Sequence, residues 1–148
     1  MLKTIPPVIH AKLLYVLMLM GHGDDLLICD VNHPAAAIAK DTTWGKLIDV
    51  SGCQIPELLT ALLTLFPLDD FVEAPVIRMA VVDNPEGQVP IFARVQNVLD
   101  TSLGRPVEVA SLERFAFYQA ARNSFAVVRT SDPGPYGCFI LRKGVVAL

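Results

Sequence analysis

Apolar positions along the chain recur at two spacings, and the switches between them predict its elements. Between residues 10 and 20, Leu13, Val16, Leu17 and Met20 fall three, four and seven positions apart, the stripe of an α-helix. Leu14, Met18 and Leu19 carry the apolar surface nearly all round. This helix is therefore expected to be buried on more than one side, including against another subunit. The run stops at Gly21-His22-Gly23-Asp24, which reads as an exposed turn with Gly21 at the helix C-terminus, where positive φ is favoured. Residues 26–29 are continuously apolar, as in a strand covered on both faces, and Asp30 is the first charge beyond them.

Residues 31–54 are the least regular part, with a short strand expected near Leu47 and Ile48. A second helix is predicted over 55–66, with Pro56 at its start, Glu57 at the positive end of its dipole and Pro67 as its stop. Residues 76–82 read as a strand, 83–87 as a turn and 90–99 as a third helix. Beyond Gly104-Arg105-Pro106 come a short strand at 107–109, a fourth helix at 111–123, a strand at 125–129, a turn at 131–135 and a last strand at 138–141. On the fourth helix Phe115 and Tyr118 share a face and are expected in the core. Alternating strands and helices without repeats predict a single layered α/β domain, its central sheet mostly parallel or mixed and flanked by helices.

Composition removes several function classes. A length of 148 residues fits one domain. Hydrophobic residues make up 53% and charged residues 18%, with a mean hydropathy of +0.47, which is apolar for a small monomer. The longest apolar run, residues 13–20, has eight residues against the ~20 of a spanning helix, so no membrane segment is expected. Pro6-Pro7 and the Gly-His-Gly-Asp-Asp stretch do not fit a secretion signal. Burial against further copies remains, and a homo-oligomer is expected. A net charge of −3, with no basic cluster beyond Arg142-Lys143, argues against nucleic acid. Cys29, Cys53 and Cys138, an odd number without paired spacing, read as reduced thiols of a cytoplasmic protein.

A few residues stand out chemically. His22, between two glycines, is either a turn residue or a proton-transfer group. Trp44 either packs or stacks on a sugar face. Arg114 opposes the dipole at the start of its helix and needs a partner: Glu113, Asp30 or a ligand oxygen. Tyr136 follows a proline–glycine turn, where a side chain is readily exposed. His22, Asp30 and His33 lack metal-ligand spacing, and no metal site is expected. Cys29 lies in an apolar run where a thiol is inert. If residues 25–29 are extended, His22 and Asp30 are about 26 Å apart at ~3.3 Å per residue. One small ligand then touches both only if the turn folds back or a neighbouring subunit supplies one of them.

Gly21-His22-Gly23-Asp24 followed by Asp30, then Arg114-Phe115-Ala116-Phe117-Tyr118, Tyr136-Gly137 and Leu141-Arg142-Lys143-Gly144-Val145 together resemble the L-fucose mutarotase and D-ribose pyranase family, closer to its fucose branch. The match runs from Met1-Leu2-Lys3 to the last residues. The resemblance implies that family's α/β fold and an enzyme interconverting the anomers of a free monosaccharide, most like L-fucose, by acid/base ring opening and closure without a cofactor. A sugar-binding member that has lost catalysis and a pyranose–furanose isomerase for ribose are the alternatives. The resemblance also implies His22 as the catalytic proton donor, and Asp30, Arg114, Tyr136, Gly137 and Cys138 as sugar contacts. It further implies a ring-like homo-oligomer, often a decamer, with pockets at subunit boundaries. Three departures stand out. Relatives carry Tyr-Gly-Asn where this chain has Tyr136-Gly137-Cys138, and a thiol hydrogen-bonds poorly beside an amide. Asp49-Val50-Ser51-Gly52 stands where relatives commonly carry Arg-Ala-Asp-Gly, and His10 where they often place Ser, a better helix cap.

Overall fold

The apolar run after the Gly-His-Gly turn forms β1 (Asp25–Cys29), fully buried from Leu26 onward, as its unbroken hydrophobicity requires. The structure is a computed structural model describing residues 2–146; Met1, where the family resemblance begins, and the last two residues, where it ends, lie outside them. β1 pairs in parallel with β5 (Ala126–Arg129) and antiparallel with β6 (Cys138–Arg142). β2 (Leu47–Asp49) extends the sheet beyond β5, and β3 (Val76–Met79) and β4 (Val109–Leu112) extend it beyond β6. The order β2-β5-β1-β6-β3-β4 is a mixed six-stranded sheet in which β6 alone runs against its neighbours.

The two-residue period of the strands decides which helices cover which face. Leu26 and Ile28 enter the larger core with α1 (Ala11–Leu19), α3 (Ile55–Leu63) and α4 (Pro90–Leu103). Leu27 and Cys29 enter the smaller core with α2 (Ala35–Ala39) and α5 (Arg114–Arg122). The predicted layered α/β domain is the observed one, with its sheet mixed.

Several local expectations are corrected. The stretch 31–54 contains α2, whose five residues are too few to show a helical period although alanine favours helix. β3 ends at Met79 and β4 begins at Val109, because the parallel register joins Val76 to Val109 and Met79 to Leu112. α3 stops at Leu63, whereas α4 continues to Leu103 and ends on Gly104 at φ 65°. On α5 the core residue is Phe117; Phe115 is exposed and Tyr118 half-buried, because α5 turns its Phe117 and Ala121 stripe to the sheet. The left-handed residue of the first turn is Gly23 rather than Gly21, whose N–H donates to Asp24 Oδ2 at 2.7 Å. His10 does cap α1, its Nδ1 accepting the Leu13 amide at 3.3 Å. Asp49, the sign-reversed departure, accepts from Arg129 Nε at 2.8 Å. Trp44 packs on the larger core, edge-on to Tyr15.

α1 buries Leu13, Val16 and Leu17 on one side only. Tyr15, Met18 and Leu19 remain exposed at 57%, 78% and 48%, so within one chain the second apolar side is uncovered. Among the described residues no helix is long and apolar enough to cross a membrane.

Candidate functional site

β1 separates the two residues that the sequence most wanted together. His22 lies before its first residue and Asp30 after its last. Because the strand is extended, one subunit holds them at opposite ends of the strands.

At the far end, the Asp30 carboxylate ties three loops together. Its Oδ1 accepts the amides of Asn32 at 2.8 Å and His33 at 2.9 Å, and its Oδ2 accepts that of Gly137 at 2.8 Å. Asp30 is almost fully buried, and that burial pushes its pKa up against the three amides pulling it down. Gly137 suits this place: a Cβ would lie 3.1 Å from Asp30 Cβ and would push aside the Ile55 Cδ1 methyl, 2.8 Å away. Tyr136, just before it, sits at φ 61°, a strained conformation for an aromatic residue, and its hydroxyl accepts the Val82 amide at 3.2 Å.

These loops wall a cavity of about 250 Å³ lined by Asp30, His33, Arg114, Tyr118, Tyr136 and Cys138 among others. Four of the predicted sugar contacts therefore share one hollow, and Gly137 supports it from behind. Arg114 reaches it from the first turn of α5. Glu113 caps that helix, its Oε2 accepting the amides of Phe115 and Ala116. Neither carboxylate proposed as a salt-bridge partner takes the guanidinium: among the described residues Arg114 makes no ion pair. It lies over the Phe115 ring at 4.6 Å, and its Nε is buried without a hydrogen-bond partner. An unpaired cation beside a buried carboxylate suits a neutral ligand rich in hydroxyls, which both donate and accept.

Cys138 faces Cys29 across the β1–β6 ladder, and both thiols are buried. Burial pushes Cys138 up to about 12 and raises Cys29 well above its ordinary value, so both stay protonated and neither is a nucleophile. Among the described residues no three metal-ligating side chains converge.

At the near end, His22 is half-exposed on its turn, and its Nε2 donates to Asp69 Oδ1 at 3.2 Å. The same oxygen accepts the Phe71 amide at 3.0 Å, which, with His22, holds the Asp69 carboxyl below the usual carboxylate range. Phe71 lies edge-on to the imidazole and is 78% exposed. This carboxylate–imidazole pair fixes the tautomer and leaves Nδ1 free to exchange a proton. Sequence reasoning missed Asp69, which lies 47 residues from His22 in no shared motif, and gave His33 and Tyr118 no place in a cavity.

The profile of the RbsD / FucU transport protein family matches residues 3–146. Fucose mutarotase of Homo sapiens is 42% identical over 151 residues, covering 99% of this chain and 96% of that one. L-fucose mutarotase of Histophilus somni is 35% identical, covering 98% and 97%. The crystal structure of the fucose mutarotase from Streptococcus pneumoniae in complex with L-fucose superposes with a TM-score of 0.85 at 36% identity, covering 99% and 100%. With its whole described length matched in sequence and in fold, the chain belongs to the RbsD / FucU transport protein family.

Proposed function

We propose that this protein is a mutarotase interconverting the anomers of a free monosaccharide, with L-fucose as the favoured sugar. The observation that carries the reading is Arg114, a cation with no carboxylate partner among the described residues, in the cavity that Asp30 closes. Similarity to proteins named fucose mutarotase, one of them in complex with L-fucose, supports the choice of sugar. Arg114 donates to sugar hydroxyls, and the free lone pair of Asp30 Oδ2 accepts from one. Tyr136 orients the ring against the loop that its hydroxyl tethers.

The reaction needs an acid at the ring oxygen and a base at the anomeric hydroxyl. Protonating the ring oxygen while the anomeric proton leaves gives the open aldehyde, and closure on either face of the carbonyl gives either anomer. His22 relays that proton, with Asp69 holding its ring. No cofactor enters this scheme. Because β1 keeps His22 from the cavity of its own chain, a neighbouring copy supplies it. The exposed Phe71 against His22, with the exposed Met18 and Leu19 at the end of α1, forms the apolar surface for that contact. A homo-oligomer, in ring-like decameric form, and a cytoplasmic location for its three free thiols complete the proposal.

One observation favours a second reading. Cys138 puts a protonated thiol in the cavity wall, and a weak hydrogen-bond former there suits a sugar-binding protein without turnover. Saturation transfer between the anomeric proton resonances of L-fucose separates the two. Accelerated exchange that His22→Ala abolishes supports the mutarotase. Calorimetric binding without accelerated exchange supports the binding protein, and acceleration confined to D-ribose ring forms points to the pyranase alternative.

A further inference from the structure

Resting on the sugar-site reading above, we propose that His33 determines specificity in the cavity: its imidazole hydrogen-bonds a sugar hydroxyl and supplies the polar contact that the Cys138 thiol makes poorly. His33 is 8% exposed and lines the same hollow as Asp30, Arg114 and Tyr136. Its backbone is fixed by the Asp30 carboxylate, and its ring is held edge-on between Phe117 at 6.1 Å and Tyr118 at 5.6 Å. Within this frame Nε2 is buried with no hydrogen-bond partner among the described residues. A buried polar nitrogen without a partner is costly, and native structures nearly always satisfy it.

Nε2 is closed off from solvent in the single chain, so the imidazole turns towards the hollow as the sugar binds; a hydroxyl then resolves the deficit whichever ring nitrogen holds the proton, since it both donates and accepts. Burial pushes the imidazole down to about 4, so the ring is neutral at neutral pH and acts as a hydrogen-bonding group rather than a charge. The role differs from that of His22, which is half-exposed, carboxylate-paired and remote. In one chain the imidazole that shares a cavity with Asp30 and Arg114 is His33.

The test uses His33→Phe, which keeps an aromatic ring between Phe117 and Tyr118 and removes both nitrogens. For L-fucose anomer exchange, one lost hydrogen bond corresponds to a KM increase of roughly 3–10-fold, with kcat within about twofold. Adding Cys138→Asn to His33→Phe restores an amide in the same wall and brings KM back toward wild type. In the wild-type protein, the His33 Nε2 resonance in 15N spectra shifts on adding L-fucose, a readout that survives if the variant folds poorly and that packing alone does not move. An unmoved Nε2 resonance in wild type at saturating L-fucose overturns the inference, as does an unchanged KM in folded His33→Phe. A wild-type protein that neither binds L-fucose nor accelerates its exchange instead overturns the sugar reading itself.

Discussion

The Asp30 carboxylate accepts the Gly137 amide at 2.8 Å while the Asp30 amide donates to the Gly137 carbonyl at 2.6 Å, and this reciprocal pair holds the end of β1 against the turn that enters β6. The absence of a side chain at position 137 leaves the carboxylate side of this pair undisturbed: a Cβ would sit 3.1 Å from Asp30 Cβ and 3.2 Å from Oδ2, so the carboxylate would have to give way, and the end of the Ile55 side chain would have to move aside. Gly137→Ala is expected to cost about 1–3 kcal/mol of stability by overpacking. Asp30→Asn is expected to cost about 1–3 kcal/mol, because an amide N–H turned towards the Gly137 N–H leaves a buried donor unpaired. Urea unfolding measures both, and wild-type midpoints would show that the bond does not organise the cavity.

Arg114 separates binding from folding. It carries no ion pair among the described residues, and its charge opposes the dipole at the start of α5. Arg114→Gln is therefore expected to change stability by less than about 0.5 kcal/mol. Loss of a charge-assisted hydrogen bond should weaken L-fucose binding by roughly tenfold or more. Calorimetry beside thermal unfolding checks the split; equal loss of both would mark Arg114 as structural.

Stability should fall on acidification through a window set by His33. Its folded pKa is lowered to about 4, while in the unfolded chain the imidazole keeps a value of ~6.5. Between these values the unfolded chain binds the proton and the folded one does not, so stability is lost as pH falls from about 6.5 to about 4 and levels off below. The loss is on the order of 3 kcal/mol. The raised pKa of Asp30 works in the opposite direction, so the comparison is with His33→Phe, whose denaturant unfolding should lack this drop.

The uncovered apolar side chains at the end of α1 and against His22 predict where copies meet. Met18 and Phe71 are each 78% exposed in the single chain. Met18→Glu and Phe71→Glu should lower the mass found by light scattering and remove anomer exchange together, while the far-ultraviolet circular dichroism stays that of wild type. Loss of assembly with full activity retained would place the complete site within one chain.

What the sequence disclosed follows from the range of each interaction. β1 was readable because its signal is local, an apolar run between Asp25 and Asp30 with glycines just ahead. α2 was not, since five residues give no period and its burial depends on the sheet beneath. Phe115 and Phe117 are equivalent as letters, and packing of α5 against α2 and β3 decides which is buried. Asp30, Arg114 and Tyr136 were singled out one by one, but their shared cavity needed β6 to run antiparallel beside β1. The separation of His22 from that cavity was legible, because strand length is fixed by backbone geometry. Asp69 carried no sequence signal; it reaches His22 only because its loop follows the end of β6 through the Leu68–Lys143 bridge.

The most direct measurement mixes two variants that each cripple one half of the site, at an L-fucose concentration well below the Kd of Arg114→Gln. His22→Ala and Arg114→Gln are co-expressed, and the anomer exchange of L-fucose is followed by saturation transfer. If each site takes His22 from one copy and Arg114 from the next, random assembly rebuilds about one site in four, and exchange returns to roughly a quarter of wild type. Activity no greater than that of the two variants assembled separately would contradict a site completed between copies.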